Sequence, residues 1–570
     1  MQTQLVAGEK PKDRAEELAK EQRNISVSEF FLKNRHLLGF DNPRKALLTT
    51  IKEAIDNSLD ACEDMKILPE IIVKISQVED KEDRFTVMVE DNGPGIVKEQ
   101  IPNIFAKLLY GSKFHKLKCS RGQQGIGISA AALYGQLTTG KPIIIISKTG
   151  PTKKANYCEL HLNIKTNEPE ILKEEVREWE KDHGTKLQIE LEGKYHIGKL
   201  SVIEFLQLTA ISNPHATLIY TDPSNEKTEF LRAVDKLPKE AKQIKPHPYG
   251  IELGILIKML KDTKQTTLQS FLQSEFSRVS ASVAKEICDK AKLYERARPG
   301  RIAREEADNL FKAIKETKIM APPTDCLSPI GEEQLLKGLK KEVQAEFYAS
   351  VTRKPNVYRG NPFQIECGIA YGGALQSDGL VKVIRYANRV PLQHQGGACA
   401  ISKLVTQTAW RNYGLSQSKG ALPAGPAIIM VHMDSVWVPF TSESKEAIAS
   451  YPEIMKEIKM ALQECGRKLA GYIRKVVKKR EQLKKANLFH AYIKELAFSL
   501  AELSGDVEKE GEIEEGLKEY LEQKLPLVLG QKKEGNDEDF DETDNDEEPV
   551  GIKEKIEESS EDNSEEDLTE

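Results

Sequence analysis

No apolar run in this 570-residue chain approaches the roughly 20 residues needed to cross a bilayer, and its first residues carry no export-signal pattern. A membrane-spanning or exported protein is set aside, and a cytoplasmic one without a membrane partner is expected. Cysteine is sparse: eight residues, scattered, with no Cys-x-x-Cys pair. Cys119 lies near His115 and Cys158 near His161, but neither pair has enough further donors for a four-coordinate site. Free thiols in a reducing compartment are therefore expected, and no structural zinc. No Gly-Lys-Ser/Thr closes a glycine-rich loop, which excludes a P-loop. None of the ten histidines is followed by Asp or Glu, as a phosphoacceptor histidine typically is.

Charge is unevenly spread. The net charge of the whole chain is −6, but residues 531–570 hold 19 Asp/Glu against 4 Lys/Arg, a net of −15. The remaining 530 residues therefore carry +9. The tail has too few apolar residues to form a core and is expected to be disordered, solvating and able to compete with nucleic acid for the basic body.

What is present is concentrated between residues 46 and 128. Along 46–62, Leu48, Ile51, Ile55, Leu59 and Cys62 recur at helical spacing, with Glu53, Asn57 and Asp60 on the opposite face. Alone, this is an ordinary amphipathic helix with a solvated side. A strand at 85–90 then ends in Asp91-Asn92-Gly93-Pro94-Gly95, where glycine permits turns and close approach. The Asp91 carboxylate there is suited to accept a hydrogen bond from an exocyclic amine. A third element, Arg121-Gly122-Gln123-Gln124-Gly125-Ile126-Gly127-Ile128, opens a helix. Backbone N–H groups at such an N-terminus form an anion nest suited to phosphates. Each signal alone is bland; in this order they point to a nucleotide site outside the P-loop class.

The set resembles the GHKL ATPase superfamily, built on the Bergerat fold. The resemblance implies ATP as substrate, with Glu53 as the base that activates water and Asn57 as the magnesium ligand. It further implies that Asp91 reads adenine, that Gly95 packs at the base, and that Arg121, Gly122, Gln123, Gln124, Gly125, Ile126, Gly127 and Ile128 form the phosphate loop. Ser112 and Lys113 precede that loop, and Thr185 closes the adenine pocket. The chemistry agrees: a base must lie near metal-bound phosphates, and Asn57 sits one turn from Glu53 on the same face. A neutral amide also ligates magnesium without adding negative charge beside a triphosphate.

Downstream, residues 265–314 read as short helices. Leu268, Phe271, Leu272 and Phe276 are periodic, as are Val283, Ile287 and Ala291, and a further helix includes Leu310 and Ile314. Basic residues such as Arg278, Lys285 and Arg298 are scattered over them. Residues 271–279 resemble the helix–two-turn–helix insert of one GHKL branch, the ATPase subunits of type IIB DNA topoisomerases. A breaker-rich linker at 321–331 is followed by strands at 363–371, 381–390 and 427–438, a helix at 400–413, and a long helix from 452 to about 500. This resembles that branch's transducer domain. Residues 386–391 resemble its signature strand. Trp410-Arg411-Asn412-Tyr413 resembles its Trp-basic-x-Tyr motif, a candidate DNA contact, while Trp410 and Tyr413 at i and i+3 equally read as a core pair. Lys445, in a surface loop, resembles the switch lysine that reaches the γ-phosphate, a task that suits a long, mobile point charge.

The expected fold is α+β, with a GHKL α/β sandwich at 1–228 and a helix–two-turn–helix insert at 229–308. A transducer at 309–475, a C-terminal helical region at 476–530 and the disordered acidic tail at 531–570 complete it. The resemblance implies an ATP-hydrolysing topoisomerase subunit, with Glu53 and Lys445 catalytic and Asn57 holding Mg2+. It also implies DNA as a partner, dimerisation on binding ATP, and a heterotetramer with two DNA-cleaving A subunits. No nucleophilic-tyrosine module is evident here, so cleavage is assigned to that other chain. The alternative is a GHKL ATPase serving as a DNA-repair clamp or chaperone; the insert resemblance and the Lys445 context weigh against it.

Overall fold

The computed structural model describes residues 18–22, 24–112, 116–122, 125–442 and 444–529. Lys113, Gln123, Gln124 and the acidic tail at 531–570 lie outside the described residues. The chain divides into two units, 1–474 and 475–570.

The first unit begins with an eight-stranded sheet. Its strands are β1 (Glu70–Gln77), β2 (Arg84–Glu90), β3 (Ile143–Lys148), β4 (Ala155–Leu162), β5 (Pro169–Arg177), β6 (Gly184–Glu192), β7 (Thr217–Thr221) and β8 (Lys227–Phe230). Their order is β5-β4-β3-β6-β2-β1-β7-β8, with β1 and β7 parallel. Alternation places Phe85, Val87 and Val89 of β2 and Leu187, Ile189 and Leu191 of β6 in one core. The helices Pro43–Asp64, Gly127–Thr139 and Val202–Ser212 share that core. The first of these starts where Asn42 accepts from the Arg44 N–H at 2.9 Å and Pro43 presets the first turn. Its apolar stripe is the expected one, but Asp56 and Asp60 are only 5% and 7% exposed. The opposite face is therefore mixed: those two aspartates are covered by protein, whereas Glu53 is half-buried and Asn57 exposed.

Four helices, Leu253–Asp262, Leu268–Glu275, Ala281–Ala291 and Arg304–Glu316, form a second core that includes Phe271, Phe276, Ile287 and Leu310. The last helix crosses the boundary expected at 308. Its buried face continues through Ala313 and Ile314, so the periodicity that belongs to this core runs further than that boundary allows.

A second sheet follows. Its strands are β9 (Phe347–Thr352), β10 (Asn356–Tyr358), β11 (Asn361–Tyr371), β12 (Lys382–Ala387) and β13 (Val390–Pro391). After a small hairpin, β14 (Ser416–Gln417) and β15 (Pro423–Ala424), comes its remaining strand β16 (Ala427–Ser435). The order is β10-β11-β16-β12-β13, with β9 paired to β11. The helix Ala400–Gln407 and the start of the 53-residue helix Pro452–Ser504 cover it, the latter through Ile454, Ile458, Leu462 and Leu469.

Three expectations need correction here. The strand expected at 381–390 is two strands, because Asn388 and Arg389 turn the chain with φ of +47° and +67°. Two consecutive left-handed residues match the twist of a tight hairpin, and asparagine tolerates that region well. The helix expected at 400–413 stops at Gln407, since Thr408 is extended, and a single 3-10 turn, Trp410–Tyr413, follows. Trp410 is fully buried, its indole N–H donates to the Val405 carbonyl at 2.7 Å, and its ring meets Tyr413 edge-on at 5.9 Å. Of the two readings of this pair, the core pair is the one that the structure contains. Finally, the strand expected at 427–438 ends at Ser435.

The second unit is described to residue 529. It holds the remainder of the long helix, with Ile493, Ala497 and Ala501 buried, and the helix Glu510–Leu529.

Emptying a fully buried tryptophan site costs about 3–5 kcal/mol. Trp410→Ala should therefore lower the denaturation midpoint of the transducer core markedly. An unchanged midpoint with weakened DNA binding would instead assign Trp410 a surface role.

Candidate functional site

The polar face of the helix Pro43–Asp64 borders a cavity of about 700 Å³. Its lining contains Glu53, Asn57, Asp91, Gly95, Ser112, Gly122, Gly125, Ile126, Gly127, Ile128, Thr185 and Lys445. Residues separated by almost 400 positions in sequence thus meet around one space of a size typical of ligand sites.

The floor is built from the turn after β2. Asp91 is 7% exposed; its Oδ1 accepts from the backbone N–H groups of Gly93 at 2.9 Å and Thr185 at 3.0 Å, and its Oδ2 accepts from the Ser58 hydroxyl at 2.8 Å. Burial pushes the carboxyl above the ordinary aspartate value, and these hydrogen bonds oppose the shift. A carboxylate offers about four acceptor sites, so with three used one remains for a donor in the cavity. Gly95 has φ of +72°, and a Cβ there would sit 2.0 Å from the Lys148 carbonyl oxygen. Only glycine lets the turn lie this close to β3. The Thr185 hydroxyl pairs with that of Ser147 at 3.0 Å, and Ser147 also accepts from the Ile96 N–H at 2.8 Å.

On the wall, the carboxylate of Glu53 and the amide of Asn57 have no hydrogen-bond partner among the described residues, and both face the cavity. The helix Gly127–Thr139 begins beside them without a side-chain cap, so its first N–H groups are left for a ligand. Its first residue must be glycine, since a Cβ on Gly127 would fall 1.7 Å from Glu53 Oε2.

Arg121 departs from its expected place in the phosphate loop: it is absent from this lining. Its guanidinium, 3% exposed, donates to Asp60 at 2.8 Å, to both oxygens of Glu63 at 2.8 and 2.6 Å, and to Asn213 at 2.5 Å. Burial alone would raise the Glu63 carboxyl, but the Arg121 charge and the His215 hydrogen bond more than offset it and hold it far below the usual range. Arg121 thus anchors the root of the loop rather than its ligand face. The fork geometry of arginine suits two carboxylates at once.

The second sheet closes the cavity with Leu392, Gln393, His394, Ser444, Lys445 and Glu446. Lys445 adopts φ of +53° in a loop pinned by Thr441 N–H to the Ala447 carbonyl at 2.9 Å and Lys445 N–H to the Ser442 carbonyl at 3.1 Å. Ser147 and the 391–394 segment were not legible as site residues, because strand pairing and the packing of the second sheet's loops bring them in, while Lys45 and Ser58 lie on the helix of Glu53 and Asn57 and were overlooked there. For Ser58 the one available signal was its place directly after Asn57.

An uncapped helix N-terminus, an unpartnered carboxylate and amide, and a buried aspartate with a free acceptor site define an ATPase of the GHKL class joined to a transducer. Residues 46–190 match the family described as histidine kinase-, DNA gyrase B- and HSP90-like ATPases, and residues 322–485 match the transducer of the topoisomerase VI B subunit. Three relatives are each named as the B subunit of type 2 DNA topoisomerase 6. The chain is 52% identical to that of Methanococcoides burtonii over 489 residues, covering 86% of this chain and 78% of the relative. It is 51% identical to that of Archaeoglobus fulgidus over 452 residues (79% and 74%) and 36% identical to that of Natronomonas pharaonis over 690 residues (88% and 86%). The chain belongs to the topoisomerase VI B-subunit family.

Breaking a buried ion pair from one side costs about 3–5 kcal/mol, because the partner charges stay buried. Arg121→Met should therefore destabilise the ATPase unit by that order, read by chemical denaturation. The Glu63 carboxyl is depressed in the folded state, so its contribution is complete above its ordinary value of 4.5 and is lost as pH falls below it. The stability gap between wild type and Arg121→Met should narrow as the medium is acidified below that value. A gap that widens instead would remove Glu63 as the partner that matters.

Proposed function

We propose that this chain is the ATP-binding and ATP-hydrolysing subunit of a type IIB DNA topoisomerase, which relaxes and decatenates DNA by ATP-gated passage of one duplex through another. The observation that carries this reading is that one cavity joins Glu53, Asn57 and an uncapped helix N-terminus to Lys445, in the loop that follows the second sheet's last strand.

In this reading the Asp91 carboxylate accepts the exocyclic amine of adenine, supported by Thr185. The backbone at Gly125, Ile126, Gly127 and Ile128 donates to the phosphates, with Ser112 and Gly122 beside them. The unpartnered Asn57 amide and the roomy cavity fit a magnesium ion, which Asn57 would hold through its carbonyl oxygen; bound there, the ion would neutralise phosphate charge. Glu53 takes the proton from the attacking water. Among the described residues no group occupies its carboxylate, as a base waiting for substrate requires. Lys445 extends to the γ-phosphate and carries the presence or loss of that charge to the transducer.

ATP would favour a closed dimer of two such chains, since a ligand that prefers one state shifts the population towards it. With two DNA-cleaving A subunits this gives a heterotetramer. The net charge of +9 outside residues 531–570 suits contact with DNA phosphates. Among the described residues no helix is long and apolar enough to cross a membrane. A cytoplasmic location is part of the proposal.

Glu53→Ala should retain nucleotide binding while turnover falls by roughly 10²–10⁴-fold, the usual worth of a positioned base. Asn57→Ala should weaken binding only when magnesium is present, and Asp91→Asn should erode the preference for adenine. Calorimetry and steady-state hydrolysis read all three; near-normal turnover in Glu53→Ala would remove the base assignment.

With a non-hydrolysable analogue, sedimentation should show a dimer in wild type and a largely monomeric nucleotide-free protein. Lys445→Ala should bind ATP but close poorly, and with the A subunit its relaxation rate should fall further than its nucleotide affinity. Full relaxation activity in that variant would leave Lys445 a bystander.

A further inference from the structure

The residue next to Lys445 makes a close ion pair between the two halves of the cavity wall. Glu446 Oε1 lies 2.6 Å from Lys45 Nζ, with side chains only 7% and 19% exposed. Lys45 belongs to the first turn of the helix that carries Glu53 and Asn57, and both Lys45 and Glu446 line the cavity. The other carboxylate near Lys45, Asp41, is more distant at 3.5 Å and more exposed.

The backbone of Glu446 is held as well. Its carbonyl accepts from Arg385 Nη1 at 3.4 Å, while Arg385 Nη2 donates to the carbonyls of Leu392 at 2.7 Å and His394 at 2.8 Å. One buried guanidinium therefore ties together both transducer segments that face the cavity. The Glu446 side chain is what links that assembly to the ATPase helix. Lys445 has a left-handed backbone (φ +53°) that a residue with a Cβ rarely adopts, so its place depends on its neighbours holding it there.

We propose that the Lys45–Glu446 ion pair is a positioning contact for the reaction: it seats the Lys445 loop against the nucleotide helix, so that closure of the transducer onto bound ATP begins from a docked lysine. The pair acts through Lys445, and neither partner need touch the reacting atoms. This rests on the ATPase reading above and deepens it.

The test is a double-mutant cycle on the full chain, with Lys45→Met, Glu446→Gln and both together. Each single substitution should lower kcat for ATP about tenfold or more and shift KM by less than about threefold. Each should also reduce the dimer fraction formed with a non-hydrolysable analogue. The double variant should be no worse than the more damaged single one, because both remove the same contact. Placing Glu446→Gln in a Lys445→Ala background should add nothing, and Lys45→Arg should keep most of the activity. Multiplicative losses in the double variant would overturn the proposal, as would a further loss beyond Lys445→Ala. Circular dichroism melts close to wild type separate these outcomes from misfolding. If wild type itself neither binds nor hydrolyses ATP, the ATPase reading has failed, which is a different result from additivity within an active enzyme.

Discussion

The buried guanidinium of Arg121 is the point on which the site's geometry depends. It draws Asp60 and Glu63 of the helix Pro43–Asp64 and Asn213 at the end of the helix Val202–Ser212 onto the root of the glycine-rich loop. Charges this far from water persist only when paired, so removing any member leaves others unsatisfied. Arg121 thus fixes where the loop starts, and the uncapped helix at Gly127 inherits its position beside Glu53.

The same region is wired to the second sheet. Asn388 donates to the Ser120 carbonyl at 2.9 Å, the Cys119 thiol donates to Asp434 at 2.6 Å, and the Ser212 hydroxyl donates to the Arg389 carbonyl at 2.7 Å. Arg389 in turn gives its backbone N–H to His432 Nε2 at 2.9 Å, and His432 Nδ1 pairs with Glu366 at 2.7 Å. The hairpin turn at Asn388 and Arg389 therefore touches the loop root on one side and the sheet interior on the other. A polar network buried this deeply specifies one docking geometry better than apolar packing would, because a slip strands several charges at once. The two cavity walls are coupled by that geometry as well as by the Lys45–Glu446 pair.

Much of the site was legible in the chain because its groups are local. The i, i+4 spacing of Glu53 and Asn57, the strand-ending Asp91 turn and the glycine run before a helix each express a backbone rule within a few residues. Arg121 was misplaced for the same reason. Adjacency to the loop is visible in sequence, but the direction of a long side chain is set by carboxylates some 60 residues away. Trp410 shows the corresponding limit on surface motifs, since a Trp-basic-x-Tyr string reads alike whether the indole faces solvent or, as here, a core.

By itself the sequence determined the helices and strands that follow hydrophobic period, the cavity-lining residues that share one element or one turn, and the family to which they point. Only the tertiary structure decided that the polar face of the helix Pro43–Asp64 is divided, with Asp56 and Asp60 buried and Asn57 left exposed. It alone decided that the strand expected at 381–390 breaks at two left-handed residues, and that Lys445 and Glu446 reach a cavity built almost 400 residues earlier. The physical reason is range. Backbone preference and amphipathic period act over one or two turns, whereas the pairing of buried charges is settled by whichever groups the packed sheets bring within hydrogen-bond distance.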